Sequence, residues 1–173
     1  MKRASGWLFV FAVPWGQILA DTPPPQPRLQ STCSSSGRYC AISDPEKGVT
    51  RIATGFSEPT LWSIPGWHPL LLVSNDGESV VVVFDGENLV PLKVTLREPV
   101  LSFWRRGKLI RQVRLGDLYQ DKSQLSRTLG HFSWLNDIEL NSANQVVIKL
   151  VTGRTVAFSA ATGLREEIAL HGT

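Results

Sequence analysis

The sequence predicts a mainly β chain of antiparallel meanders with one inserted helix near 117–129. Three observations carry that prediction. Residues 70–94, LLLVSNDGESVVVVFDGENLVPLKV, read as an apolar run, a Ser-Asn-Asp-Gly turn, four valines, an Asp-Gly turn and another strand. The valines 80–83 offer water no polar side, so their strand belongs in mid-core, covered on both faces. The segments on either side repeat the same strand and turn grammar, and only one stretch reads as helical.

The chain opens with Met1-Lys2-Arg3, an apolar run at 7–13 and Ile18-Leu19-Ala20, the charged start, apolar middle and small residue of a secretory signal over 1–20. The competing reading is an uncleaved anchor. Pro14, Gly16 and Gln17 interrupt that stretch, however, and a span needs about 20 apolar residues, so no transmembrane anchor is expected. The protein is therefore read as exported, to the periplasm or outside the cell. Taking 20 residues from 173 leaves 153, and losing Lys2 and Arg3 lowers the formal charge from +3 to +1. Near neutrality gives no general pull toward nucleic acid or membrane, and export separates the protein from nucleic acid. Residues 21–30, with four prolines in ten, form an extended linker, and 31–173 form a single β domain.

Cys33 and Cys40 are the only cysteines and flank a Gly-containing turn, which in an exported chain reads as a disulfide closing a hairpin. A redox-active pair would stand two residues apart at a helix start. Residues 39–52 follow as a hairpin around Asp44-Pro45-Glu46-Lys47-Gly48. Residues 56–70, rich in Trp and Pro, read as an ordered loop shaped by rings rather than by a ladder. Residues 100–104 and 108–115 make a further hairpin across Arg105-Arg106-Gly107, in which alternation places Lys108, Gln112 and Arg114 on one face and Leu109, Val113 and Leu115 on the other. The helix rests on Asp117 as a cap, Leu118, Leu125 and Leu129 on one side, and Gly130 as a stop, with about three turns expected. Strands resume at 138–140, 145–151, 155–159 and 164–170.

Three small polar turns, at 34–37, 74–77 and 141–144, each precede a buried strand. The first two end 40 residues apart, at 37 and 77, and the last two 67 apart, at 77 and 144, which fits one unit plus an insertion around the helix. The pattern S-x-x-G-x-Y, then D-P-x-x-G, then S-x-D-G-x-x-V-V-V resembles blades of WD40-like β-propellers. Over 31–167 the chain resembles a group of uncharacterised exported bacterial proteins with a propeller-like β domain. Gly107-Lys108-Leu109-Ile110-Arg111, Asp117-Leu118, His131 and Trp134 stand where that group has similar residues. The resemblance implies a fold of two to three blade-like units and no activity. At about 40 residues per blade, 153 residues fall short of the four blades that closure requires, so an open sheet or sandwich is expected rather than a closed propeller.

Between 93 and 114 lie seven basic residues, Lys93, Arg97, Arg105, Arg106, Lys108, Arg111 and Arg114, against one acid, Glu98. With Phe103 and Trp104 beside them, they make a candidate site for an anionic partner such as an acidic glycan, a phosphate headgroup or an acidic protein face; the plainer reading is a solvated hairpin whose charges protect an edge strand. Trp62, Trp67, Trp104 and Trp134 are candidates for a stacking platform, against the commoner role of core or cover. His68, His131 and His171 lack metal spacing, and Asp76 and Asp85 at opposite ends of one strand cannot share a calcium ion. No phosphate-binding or dinucleotide signature is present, so no cofactor is expected. His131 with Asp117 and Ser133 supplies the residue types of a hydrolytic triad, but no nucleophile elbow surrounds Ser133. The sequence thus points to an exported non-catalytic binding or scaffold domain, with Arg105, Arg106, Lys108, Arg111, Trp104, Trp62, Trp67, His131 and Trp134 as ligand-binding candidates. The alternative is a secreted hydrolase using His131 with a nearby Ser or Asp, and a third is a subunit that completes its sheets with a partner.

Overall fold

The computed structural model describes residues 26–168, so the expected signal segment, the start of the linker and His171 lie outside the described residues. Strands β1 (Gln30–Cys33), β2 (Cys40–Asp44), β3 (Val49–Ala53) and β4 (Thr60–Pro65) form one antiparallel sheet in that order. Next come β5 (Leu71–Val73), β6 (Ser79–Val83), β7 (Leu89–Pro91), β8 (Pro99–Arg105) and β9 (Lys108–Arg114). Of these, β5, β6, β8 and β9 make the second sheet, and β7 steps out of it. After helix α1 (Leu115–Leu118) and a 3-10 turn (Lys122–Gln124) come β10 (Ser126–Arg127) and β11 (His131–Ser133), which form a three-stranded sheet in the order β10-β11-β7. Strands β12 (Leu135–Leu140), β13 (Gln145–Leu150), β14 (Thr155–Ser159) and β15 (Arg165–Glu166) close the chain as a third four-stranded meander. The fold is mainly β, and none of the four sheets closes into a barrel.

Strand β6 explains the architecture. It pairs with β5 on one edge and β8 on the other, and its alternating side chains serve two different cores. Val80 and Val82 join Ala41, Ile52 and Ile64 of the first sheet, whereas Val81 and Val83 join Leu101, Phe103, Trp134, Ile148 and Phe158. A run of β-branched residues with no polar face is what a strand walled in by apolar layers requires. Each buried valine contributes about 1.5–3 kcal/mol to stability.

The three polar turns share one hydrogen-bond pattern. Gly37 and Gly77 donate to the Ser34 and Ser74 carbonyls at 2.8 and 3.0 Å, and Asn144 donates to Asn141 at 3.0 Å, all three with positive φ (70°, 68° and 56°). The turns also meet. The Asn75 carboxamide oxygen accepts from the Ser35 hydroxyl and the Ser36 amide, both at 3.0 Å, and the Asn75 amide donates to the Asn144 side chain at 3.4 Å. Cys33 and Cys40 face each other across β1 and β2 and are disulfide-bonded, closing the first of these turns.

Two segments differ from expectation. Within 56–70 the chain forms β4, because Trp62 and Ile64 alternate toward the core opposite Ile52 and Thr50. Pro65 is tolerated there because it ends a strand at the sheet's outer edge, where its missing N–H removes no ladder bond. The helix is short. The Asp117 carboxylate accepts from the Arg114 amide at 2.8 Å, Tyr119 is extended, and Asp121 caps a new turn by accepting from Ser123 at 2.7 Å. Side-chain capping divides the segment into two turns that still bury Leu118 and Leu125, while Leu129 is 72% exposed.

Candidate functional site

Strands β8 and β9 join through Arg106 and Gly107, both with positive φ (47° and 80°), the two-residue connection that matches strand twist. Glu78 holds this tip. Its carbonyl accepts from the Arg106 amide at 3.0 Å, and its carboxylate binds the Arg106 guanidinium at 2.5 Å and the Arg105 guanidinium at 3.4 Å. The hydrogen bond from Arg106 holds the Glu78 carboxyl below its ordinary pKa, and the same contact raises that of Arg106.

The regular alternation expected along β9 is broken. Phe103 pairs with Arg111 but Trp104 pairs with Leu109, so Ile110 is an extra residue, a bulge. One inserted residue flips the face of everything before it. Gln112 lies on the side of Ser102, to which it donates at 3.2 Å, and Leu109 shares the side of Trp104. Leu109 and Ile110 end 47% and 46% exposed, and only Val113 of this strand is buried. Arg105, Arg106, Lys108 and Ile110 line a shallow hollow of about 290 Å³. Among the described residues Lys108 and Arg111 have no ion-pair partner.

The seven-to-one basic cluster divides in space. Arg105, Arg106 and Lys108 sit at the hairpin tip, while Arg114 lies at the far end of a seven-residue strand, about 20 Å away at the usual rise. Lys93 and Arg97 lie in the connection leading to β8 and are exposed.

The tryptophans are spread over different surroundings. Trp62 and Trp104 pack against the core shared by the first two sheets, and the Trp62 indole N–H donates to Gly77 at 2.9 Å. Trp67 donates to the Arg28 carbonyl at 2.7 Å. Trp134 is fully buried in the other core and donates to Glu87 at 2.8 Å, which removes it from any binding surface. His131 is half-buried in β11, opposite Pro91, and donates its amide to the Thr128 hydroxyl at 3.1 Å. Ser133 donates its hydroxyl to the Leu135 carbonyl at 3.3 Å, and Asp117 is committed to the Arg114 amide. These bonds serve local backbone.

Sequence reasoning missed Glu78, whose role depends on a contact across 28 residues. It also missed a hollow of about 210 Å³ lined by His68, Asp85, Glu98 and Ser102 over Val82 and Phe84. There His68 Nδ1 lies 3.3 Å from Asp85 Oδ1 and Nε2 lies 3.0 Å from the Pro65 carbonyl. Asp76 accepts from the Ser74 hydroxyl at 2.5 Å and the Glu78 amide at 2.9 Å, so it serves its turn. Burial pushes its pKa up, and these two bonds, together with its own backbone amide and the nearby Arg105 charge, leave it lowered. Among the described residues no group of three His, Cys, Asp or Glu could hold a metal ion, and no helix is long and apolar enough to cross a membrane. No protein-family model matches the chain, and no curated protein matches it.

Proposed function

We propose that this protein is an exported, non-catalytic β domain that binds an anionic partner through the tip of the β8–β9 hairpin, as a binding or scaffold module of the cell envelope. The observation that carries the reading is the hollow lined by Arg105, Arg106, Lys108 and Ile110, a cationic rim around an apolar side chain. The Cys33–Cys40 disulfide supports export, since such bonds persist in oxidising compartments. The three four-stranded meanders with matching turns support kinship with blade-like exported domains.

The reading is tested by retention on two immobilised polyanions, polyglutamate and a sulfated polysaccharide, at low salt. Retention on at least one, reduced by Lys108→Glu and by added salt, is the expected result. Flow-through on both matrices, or equal retention of the Lys108→Glu variant, overturns it.

A further inference from the structure

Within that proposed function, we infer that Arg105 and Arg106 form a carboxylate receptor that Glu78 occupies in the unbound chain and that an acidic, extended segment of a partner protein takes over. Glu78 is the internal guide to the ligand. Its carboxylate lies 2.5 Å from one guanidinium and 3.4 Å from the other, and each of these arginines spends one N–H donor on it. A guanidinium has five such donors, so a second carboxylate can be gripped before the first is released. All three side chains are accessible enough to exchange, with Arg105 47%, Arg106 69% and Glu78 26% exposed.

The remainder of the surface selects a peptide over a glycan. The bulge leaves two aliphatic side chains exposed, and one of them, Ile110, lines the hollow beside the arginines. An exposed aliphatic group suits an apolar side chain of a partner, whereas sugars are bound on flat aromatic faces, and Trp62 and Trp104 spend part of their ring surface packing against the core. Lys108 and Arg111, without ion partners among the described residues, extend the positive field along the strand for further acidic residues. The bulge also interrupts the edge ladder, so the partner binds through side chains there rather than as a regular added strand.

The test is fluorescence polarisation with a labelled peptide alternating Glu with Leu, beside a sulfated oligosaccharide and anionic phospholipid vesicles. The peptide should bind, and Arg106→Glu and Ile110→Asp should each weaken it about tenfold. Glu78→Gln removes the internal competitor and should tighten binding several-fold, a gain that misfolding cannot imitate. Binding of the oligosaccharide or the vesicles in preference to the peptide overturns this inference and leaves the anion-binding reading standing. Binding of none of the three overturns both. Peptide binding that Glu78→Gln leaves unchanged or weakens overturns the exchange at Arg105 and Arg106.

Discussion

The ring of Tyr39 lies against Gly77 so closely that a Cβ on Gly77 would stand 2.3 Å from Tyr39 Cδ1. This contact joins the first two sheets at the place where their polar turns meet, and Gly77 also has a φ of 68° and receives the Trp62 indole N–H on its carbonyl. Gly77→Ala combines a left-handed residue, costing about 1–2 kcal/mol, with overpacking of about 1–3 kcal/mol. A loss of about 2–5 kcal/mol in urea unfolding is expected. Adding Tyr39→Ala should restore part of it, and a double-mutant cycle showing simple additivity would mean that the ring is not what Gly77 accommodates.

The Cys33–Cys40 bond closes the turn that carries Ser35 and Ser36 to Asn75. In the chain-entropy account, a loop of this length is worth about 2.5 kcal/mol. Cys33→Ser with Cys40→Ser should lower the unfolding free energy by about that amount, and reductant should do the same to the parent protein while leaving the double variant unaffected. An unfolding midpoint insensitive to reductant would contradict it.

What the sequence revealed was what depends on neighbours along the chain. Four valines with no polar side announce a doubly covered strand, and Gly37, Gly77 and the Arg106-Gly107 pair sit where the backbone needs positive φ. The hidden features are those set by register. Leu61 and Ile110 are bulged residues on the outer strands β4 and β9, and a bulge leaves no local mark that separates it from ordinary alternation. For the same reason, a charge count over 93–114 treated as one patch what a seven-residue strand holds apart, and it left out Glu78, which comes from β6's leading turn. Strand β4 was obscured by Pro65, which is harmless only at an edge, and edges are not visible in a single sequence.

Glu78 should titrate below its ordinary value of 4.5, chiefly because Arg106 donates to it. A carboxyl whose folded pKa is depressed stabilises the fold above its unfolded pKa, and that contribution disappears as pH falls through the folded value. The anchoring of the hairpin tip is therefore complete above pH 4.5 and lost progressively below it. Following the Glu78 carboxyl carbon by NMR should give a midpoint under 4.5 that rises in Arg106→Met more than in Arg105→Met, since the first contact is 2.5 Å and the second 3.4 Å. A larger rise in Arg105→Met would reverse the assignment of the principal partner.

Trp134 separates stability from binding. Its amide donates to Asn88 at 3.0 Å and its indole to Glu87 at 2.8 Å, so one residue holds two successive carbonyls of the turn between β6 and β7. Glu87 has a φ of 56° in that turn, a conformation that a non-glycine residue keeps only under restraint. Trp134→Phe keeps an aromatic filling but removes the indole donor and leaves the Glu87 carbonyl short of a partner. The expected cost is about 1–3 kcal/mol in urea unfolding. Affinity for an acidic probe at the hairpin should be unchanged, because Trp134 lies in the core containing Phe103 and Ile148 and contributes nothing to the hollow. Lys108→Glu should show the opposite pattern, with full stability and weakened binding. If Trp134→Phe weakened binding at unchanged stability, its side chain would have to reach a ligand, and its burial in the core would have to be wrong.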